Sequence, residues 1–190
     1  MNETEQALLE AALRVFSRYG VKRTSMSDLC DEAGVSRQTF YNNFRNKDDI
    51  LRALIQTYTE RALAAIDAGR KTRGGLGELL DLVFEQTVIA GHDMCAAMPN
   101  AEDFVDGVHA GSQDEIEAAG ERFREVIADI LAPHTSALNA KGFDVTTLSD
   151  FVQRASKAAG RNTRDRQHLL TQLATLRRLC LCAAGQAGDS

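Results

Sequence analysis

Proline is scarce in this chain, two residues among 190. Because proline removes a backbone donor and breaks helix interiors, its rarity leaves long stretches free to coil. β-Branched residues alternate over no strand-length window, so nothing argues for a sheet. No apolar run approaches the ~20 residues a membrane-spanning helix needs. The opening Met1-Asn2-Glu3-Thr4-Glu5 is acidic and polar, unlike a secretory leader. No membrane partner is expected, and a cytoplasmic location fits. The four cysteines, at 30, 95, 180 and 182, lack zinc-ligand spacing, so no structural metal is expected and a reduced compartment suits them. A phosphate-binding glycine loop, a nucleophile elbow and a paired His/Glu metal motif are also missing, which argues against an enzyme and against a cofactor.

What is present is helical periodicity. Apolar residues make up 44% of the chain, enough for a buried core and too many for a disordered polymer. The spacing predicts an all-α protein: an N-terminal three-helix head over residues 1–50 and a C-terminal helical bundle over 51–190. Residues 3–19 carry a stripe of Leu8, Ala12, Val15, Phe16 and Tyr19. A helix starting at Asn46 runs through Ile50, Leu51, Leu54, Ile55, Tyr58, Leu63 and Ile66 toward Gly69, and links head to body. After a basic, glycine-containing connector, further helices are expected from Leu76 to Val88, from Ser112 to Pro133 with Ser112 and Glu115 as its cap, from Thr147 to Gly160 with Thr147 and Asp150 as its cap, and from about Arg164 to Ala184.

The most informative stretch is Thr24 to Phe44. Ser25 with Asp28 fits a capping box. Gly34 stands where a left-handed residue would close the first short helix, and Ser36 is a good N-cap for the second. In that second helix Phe40 and Phe44 lie four apart and face inward. Arg37, Gln38, Thr39, Tyr41, Asn42 and Asn43 are left for the other sides. Between Ser36 and Lys47 there are three cations and no carboxylate. Such a surface suits DNA, since Arg pairs with guanine, Gln and Asn pair with adenine, and hydroxyls bond phosphate oxygens. Asn46 and Asp49 then cap the linking helix, whose N-terminal N–H groups can hold a phosphate. The reading is a helix-turn-helix with Thr24, Ser25, Ser36, Arg37, Gln38, Thr39, Tyr41, Asn42, Asn43 and Lys47 as candidate DNA contacts. Gln38 and Asn42 are assigned to bases, Tyr41 and Lys47 to phosphates.

The formal net charge of −5 argues against a nucleic-acid partner only if taken as a total. Residues 1–50 hold seven Lys/Arg and eight Asp/Glu, yet the cations gather on the contact helix while Asp28, Asp31 and Glu32 fall on its neighbour. Modest nonspecific affinity is expected, with specificity set in the groove.

At Thr24-Ser25, Asp28-Leu29, Ala33-Gly34-Val35-Ser36, Thr39-Phe40-Tyr41, Phe44, Lys47-Asp48 and Ile50-Leu51 the chain resembles the TetR family of bacterial transcriptional regulators. The resemblance covers roughly the first quarter of the sequence. Cys30 departs from the family's usual alanine, and Gln38 from the glycine of many members, which adds a side chain able to reach a base. The resemblance implies a regulator, a repressor released from a palindromic operator by an apolar or aromatic small-molecule effector. Candidate pocket residues are Phe84, Val88, His92, Met94, Cys95, Met98, Phe104 and Phe123, because Met and Phe shape an adaptable apolar cavity. His109 is a second candidate polar contact. Cys95 has no flanking cation to lower its pKa, and Asp93 acts the wrong way, so a redox role is not expected for it.

A homodimer is expected on two grounds. One short helix reads only a few base pairs, and a two-fold dimer sets two such helices on a palindrome. The last helix is also apolar over more than one stripe, so it must bury two sides. In the resembled family the last two helices pair with those of the mate in a four-helix bundle. Phe151, Ala155, Leu169, Leu173, Leu176 and Cys180 are the candidate interface residues. A DNA-binding regulator that senses no small molecule, or an activator, shares every residue of the head and stays open at this point.

Overall fold

The computed structural model describes residues 2–186. Among them every regular element is helical, and no helix is long and apolar enough to cross a membrane. The contacts divide the chain into two compact units. One holds the described residues up to Thr59 together with Met94–Ala119; the other holds Glu60–Asp93 and the described residues from Gly120 onward. This division differs from the expected 1–50 and 51–190, because a later helix packs into the N-terminal core.

In the first unit, α1 (Glu3–Tyr19) starts where the Asn2 carboxamide accepts the Glu5 N–H, and stops at Gly20. Gly20 has a φ of 82°, and a Cβ there would collide with the Asp103 carboxylate. The inward stripe is Leu8, Leu9, Ala12, Val15 and Phe16. Tyr19 was expected to extend that stripe but lies half exposed, with the Arg18 guanidinium 5.8 Å from its ring centroid. Helices α2 (Met26–Ala33), α3 (Arg37–Asn43) and the start of α4 (Lys47–Arg70) close over α1, burying Leu29, Cys30, Phe40, Phe44, Ile50 and Leu51. Among the intervening helices α5 (Leu76–Phe84) and α6 (Ala90–Ala96) build mainly the second unit. Helix α7 (Ala101–Gly111) returns to the first unit and adds Phe104 to its core. Gly107 permits this approach, since a Cβ there would meet the Val21 side chain at 2.9 Å.

In the second unit, α5 runs into a π-helical segment, Glu85–Ile89, and then α6. The later part of α8 (Gln113–Leu131), a 3₁₀ turn at Ala132–His134 and α9 (Thr135–Ala140) follow. Pro133 lies in that turn, where its missing N–H does no harm. Helix α10 (Val145–Arg161) and α11 (Arg166–Ala183) complete the unit. The α10 cap is Asp144, whose carboxylate accepts the Thr147 N–H at 2.9 Å, and not the Thr147–Asp150 pair expected from sequence. Both spacings fit a capping pattern, and the carboxylate is the stronger acceptor for a helix N-terminus. The core gathers Ile66, Leu80, Phe84, Ile127, Leu131, Val152, Leu169 and Leu173.

Candidate nucleic-acid interface

The turn between α2 and α3 forms from local chemistry. Ser25 Oγ accepts the Asp28 N–H at 3.2 Å, and the Asp28 carboxylate accepts the Ser25 N–H at 2.7 Å, which completes the capping box. Those bonds, the backbone N–H first and the hydroxyl second, hold the Asp28 carboxyl below the usual carboxylate range. Gly34 closes α2 at φ 66° and ψ 30°, in the left-handed region where a Cβ is strained. The Val35 N–H returns to the Cys30 carbonyl at 3.2 Å, a Schellman-like ending. Ser36 then starts α3, with its hydroxyl accepting the Thr39 N–H at 3.1 Å. Phe40 and Phe44 are both buried, their rings 6.0 Å apart and tilted by 54°. They fix which side of α3 turns to the core. Burial also pushes the Cys30 thiol up, partly opposed by the Arg37 charge.

The opposite side of α3 is exposed and free of acids. Arg37, Gln38, Tyr41, Asn42 and Asn43 are exposed, and Thr39 is half-buried. Their polar atoms are unequally committed. Arg37 donates to Ser27 Oγ on α2 at 3.1 Å, Thr39 Oγ1 bonds Ser36 Oγ at 2.9 Å, and Asn43 Nδ2 donates to the Thr39 carbonyl at 2.8 Å. Gln38 Nε2 donates to Asn42 Oδ1 at 2.8 Å. At the start of α4, Asn46 Oδ1 accepts the Asp49 N–H at 2.9 Å, as its spacing predicts.

Two of the ten candidate contacts are used inside the fold. Thr24 is buried and its hydroxyl donates to the Gly20 carbonyl at 2.6 Å. Lys47 Nζ donates to the carbonyls of Val21 at 2.7 Å and Thr24 at 2.9 Å. An ammonium has three N–H donors, so these two carbonyls take most of its capacity. The other eight lie around the turn and on α3.

A layer that sequence reasoning missed supports the approach to α2. Asn100 Nδ2 donates to the Arg18 carbonyl at 2.6 Å, and its oxygen accepts from Arg23 at 2.8 Å. The Asp103 carboxylate accepts the Lys22 N–H at 3.1 Å. These partners lie 77 to 82 residues apart, so no local pattern announces them.

The eight pocket candidates do not share one unit. Met94 and Met98 pack against the core of the first unit and Phe104 is part of it, and Cys95 belongs to the same unit. Phe84 is fully buried in the core of the second, Val88 packs against that core, and His92 and Phe123 are half-buried in the same unit. His92 Nδ1 lies 3.3 Å from Asp93, which is also paired with Arg166 at 2.9 Å. His109 is half-buried on α7. Burial alone pushes the Cys95 thiol up, which keeps it protonated at neutral pH.

The interface candidates all lie in the second unit and divide by burial. Leu169, Leu173, Leu176 and Cys180 are buried within the protomer, and Ala155 packs partly against that core. Four of the six therefore form the inner stripe of α11. The outer faces of α10 and α11 instead expose Phe151 (57%) and Leu179 (60%). Periodicity finds both stripes of a broad apolar helix and does not say which one faces its own chain.

Comparison with known proteins bears on this geometry. Residues 8–54 match the family model described as "Bacterial regulatory proteins, tetR family". An uncharacterized HTH-type transcriptional regulator, YezE of Bacillus subtilis (strain 168), is 30% identical over 86 residues, 45% of this chain and 44% of that protein. The HTH-type transcriptional repressor ComR of Escherichia coli (strain K12) is 34% identical over 62 residues, 33% of this chain and 30% of that protein. The matched segments thus span less than half the length of these curated relatives. The fatty acid degradation regulator FadR of Bacillus halodurans superimposes with a TM-score of 0.70 over 95% of this chain and 96% of that one, at 16% identity. That likeness is one of fold.

Proposed function

We propose that the chain is a TetR-family regulator, as the match of residues 8–54 to that family's model supports, and that it represses transcription by binding a palindromic operator as a homodimer. The observation that carries the reading is the acid-free outer side of α3, held outward by buried Phe40 and Phe44. An exposed helix with amides, hydroxyls and Arg on one side matches the donor and acceptor pattern of the major groove. Ser25, Ser36, Arg37, Gln38, Thr39, Tyr41, Asn42 and Asn43 are the contacts we assign to it. Exposed Phe151 and Leu179 support pairing through α10 and α11, since lone large apolar groups on adjacent helices favour burial against a second copy.

Release by a small apolar effector is part of the same proposal. In a two-state dimer, an effector that prefers the head spacing misfitted to DNA lowers operator affinity. Phe84, Val88, His92 and Phe123, which share one unit, are the residues we assign to it. The relative named as a repressor favours repression over activation. Selection of bound sequences from a random duplex pool, followed by screening compounds for release of the recovered duplex, tests both parts. A recovered two-fold symmetric site supports the reading; recovery of no shared sequence would end it.

A further inference from the structure

The hydrogen bond between Gln38 and Asn42 carries an inference about how the operator is read, and it rests on the proposed DNA-binding role. The two residues are one turn apart on α3, so their side chains stack along the exposed side. Gln38 Nε2 donates to Asn42 Oδ1 at 2.8 Å. Two neighbouring polar groups of α3 are used differently: Asn43 folds back onto the Thr39 carbonyl and Thr39 faces the Ser36 cap. Arg37 leans toward Ser27. The Gln38–Asn42 pair is therefore the one place on α3 where two exposed carboxamides bond each other.

We propose that Asn42 is a positioning residue for Gln38, and that the two together read a single adenine in each half-site. A glutamine amide has two N–H donors and one oxygen with two lone pairs. The bond to Asn42 takes one N–H. Gln38 keeps its oxygen and its second N–H, which share one edge of the amide when the hydrogen given to Asn42 is the one pointing away from that oxygen. Adenine presents an N6 donor beside an N7 acceptor in the major groove, the complement of that edge. In the observed orientation the Asn42 oxygen meets the Gln38 amide nitrogen, which leaves the Gln38 oxygen free. A free glutamine on a helix surface loses rotamer entropy on binding. A glutamine already tethered loses less, so the pair discriminates more sharply than an untethered Gln38.

This assignment differs from two independent readers. If each amide read its own base, their operator positions would be distinct and their losses would multiply. If they act as one reader, both losses fall at the same base pair and do not multiply.

The test uses the full-length protein and duplexes recovered from a random pool, with each half-site position varied in turn. Wild type, Gln38→Ala, Asn42→Ala, Asn42→Asp and the Gln38→Ala/Asn42→Ala double variant are compared. All four variants change only exposed side chains, and circular dichroism checks that α3 and its neighbours remain folded. Gln38→Ala is expected to lower discrimination at one A·T pair by roughly 5- to 150-fold, the range for one bidentate contact. Asn42→Ala should lower discrimination at that same pair, and the double variant should resemble Gln38→Ala alone. Asn42→Asp keeps an acceptor oxygen in place. It should restore preference at that pair while weakening binding to all duplexes alike, because its charge meets phosphate.

The inference is overturned if Asn42→Ala relaxes a different base pair, if the two losses multiply, or if Asn42→Asp fails to restore the preference. Wild-type protein that recovers no common sequence would overturn the DNA-binding reading itself, and this inference with it. A site that is recovered but insensitive to Gln38→Ala overturns the inference alone.

Discussion

The Lys47 ammonium donates to the Val21 carbonyl at 2.7 Å, bridging 26 residues of chain. With its second bond, to the Thr24 carbonyl at 2.9 Å, it ties the turn before α2 to the first residue of α4. The sequence reading placed this lysine on a phosphate. In the structure it acts as a strut. Lys47→Met should lower stability by about 1.5–3 kcal/mol, the range for hydrogen bonds to a charged group. The slope of log affinity against log salt should stay that of the wild type. Unchanged stability with a slope reduced by about 0.9 would return Lys47 to phosphate binding.

The capping box of α2 makes stability depend on pH. The folded-state pKa of Asp28 lies below its unfolded value. Such a group contributes stability that is complete above the unfolded pKa and is lost as the pH falls through the folded one. Asp28→Asn should therefore destabilise the protein at pH 7, and the gap to wild type should close below about pH 4. Ser25→Ala removes the other half of the box and should cost about 1 kcal/mol at neutral pH. Denaturant titrations at neutral and acid pH check both; an equal gap for Asp28→Asn at the two pH values would contradict the assignment.

The two sides of α11 should respond differently to a buried charge. Leu173 is 3% exposed within the protomer core, whereas Leu179 is 60% exposed. Leu173→Glu places an unpaired carboxylate in that core and should unfold the second unit. Leu179→Glu should leave the helical content unchanged and shift sedimentation from dimer toward monomer. A Leu179→Glu protein that remains fully dimeric at micromolar concentration would remove this face from the interface.

Cys180 sits in the core with its thiol pushed up to about 11 by burial. The thiolate is the reactive form, so a thiol reagent at neutral pH should miss Cys180 in the native protein and modify it once denaturant is added. Mass spectrometry of the labelled peptides checks this. Rapid native labelling would mean that α11 opens far more readily than its packing allows.

The parts of the fold that were legible in sequence are those set by near neighbours. Ser25 and Asp28, Gly34 with Val35, Ser36, and the Phe40–Phe44 pair all act across five residues or fewer, so spacing identifies both the element and its ends. Much of the exposed side of α3 follows from the same periodicity. The support from Asn100 and Asp103 was not legible, because tertiary packing alone brings α7 to the turn after α1. Met94, Met98 and Phe104 were ambiguous for a related reason: an apolar side chain suits a cavity wall and a core equally well, and the structure places Phe104 in the core of the first unit with Met94 and Met98 packed against it. On α11 the broad apolar surface divides into an inner stripe that holds the named leucines and an outer side that leaves Leu179 exposed, and spacing does not tell the two apart.

The most direct test of the central claim is hydroxyl-radical footprinting of the purified chain on the duplex it selects. The account predicts two protected windows related by a two-fold axis, with major-groove centres about one helical turn or a multiple apart, and loss of both when the exposed α3 side is altered at Gln38 and Tyr41 together. Absence of protection, or a single window without a symmetric mate that persists in that double variant, would contradict it.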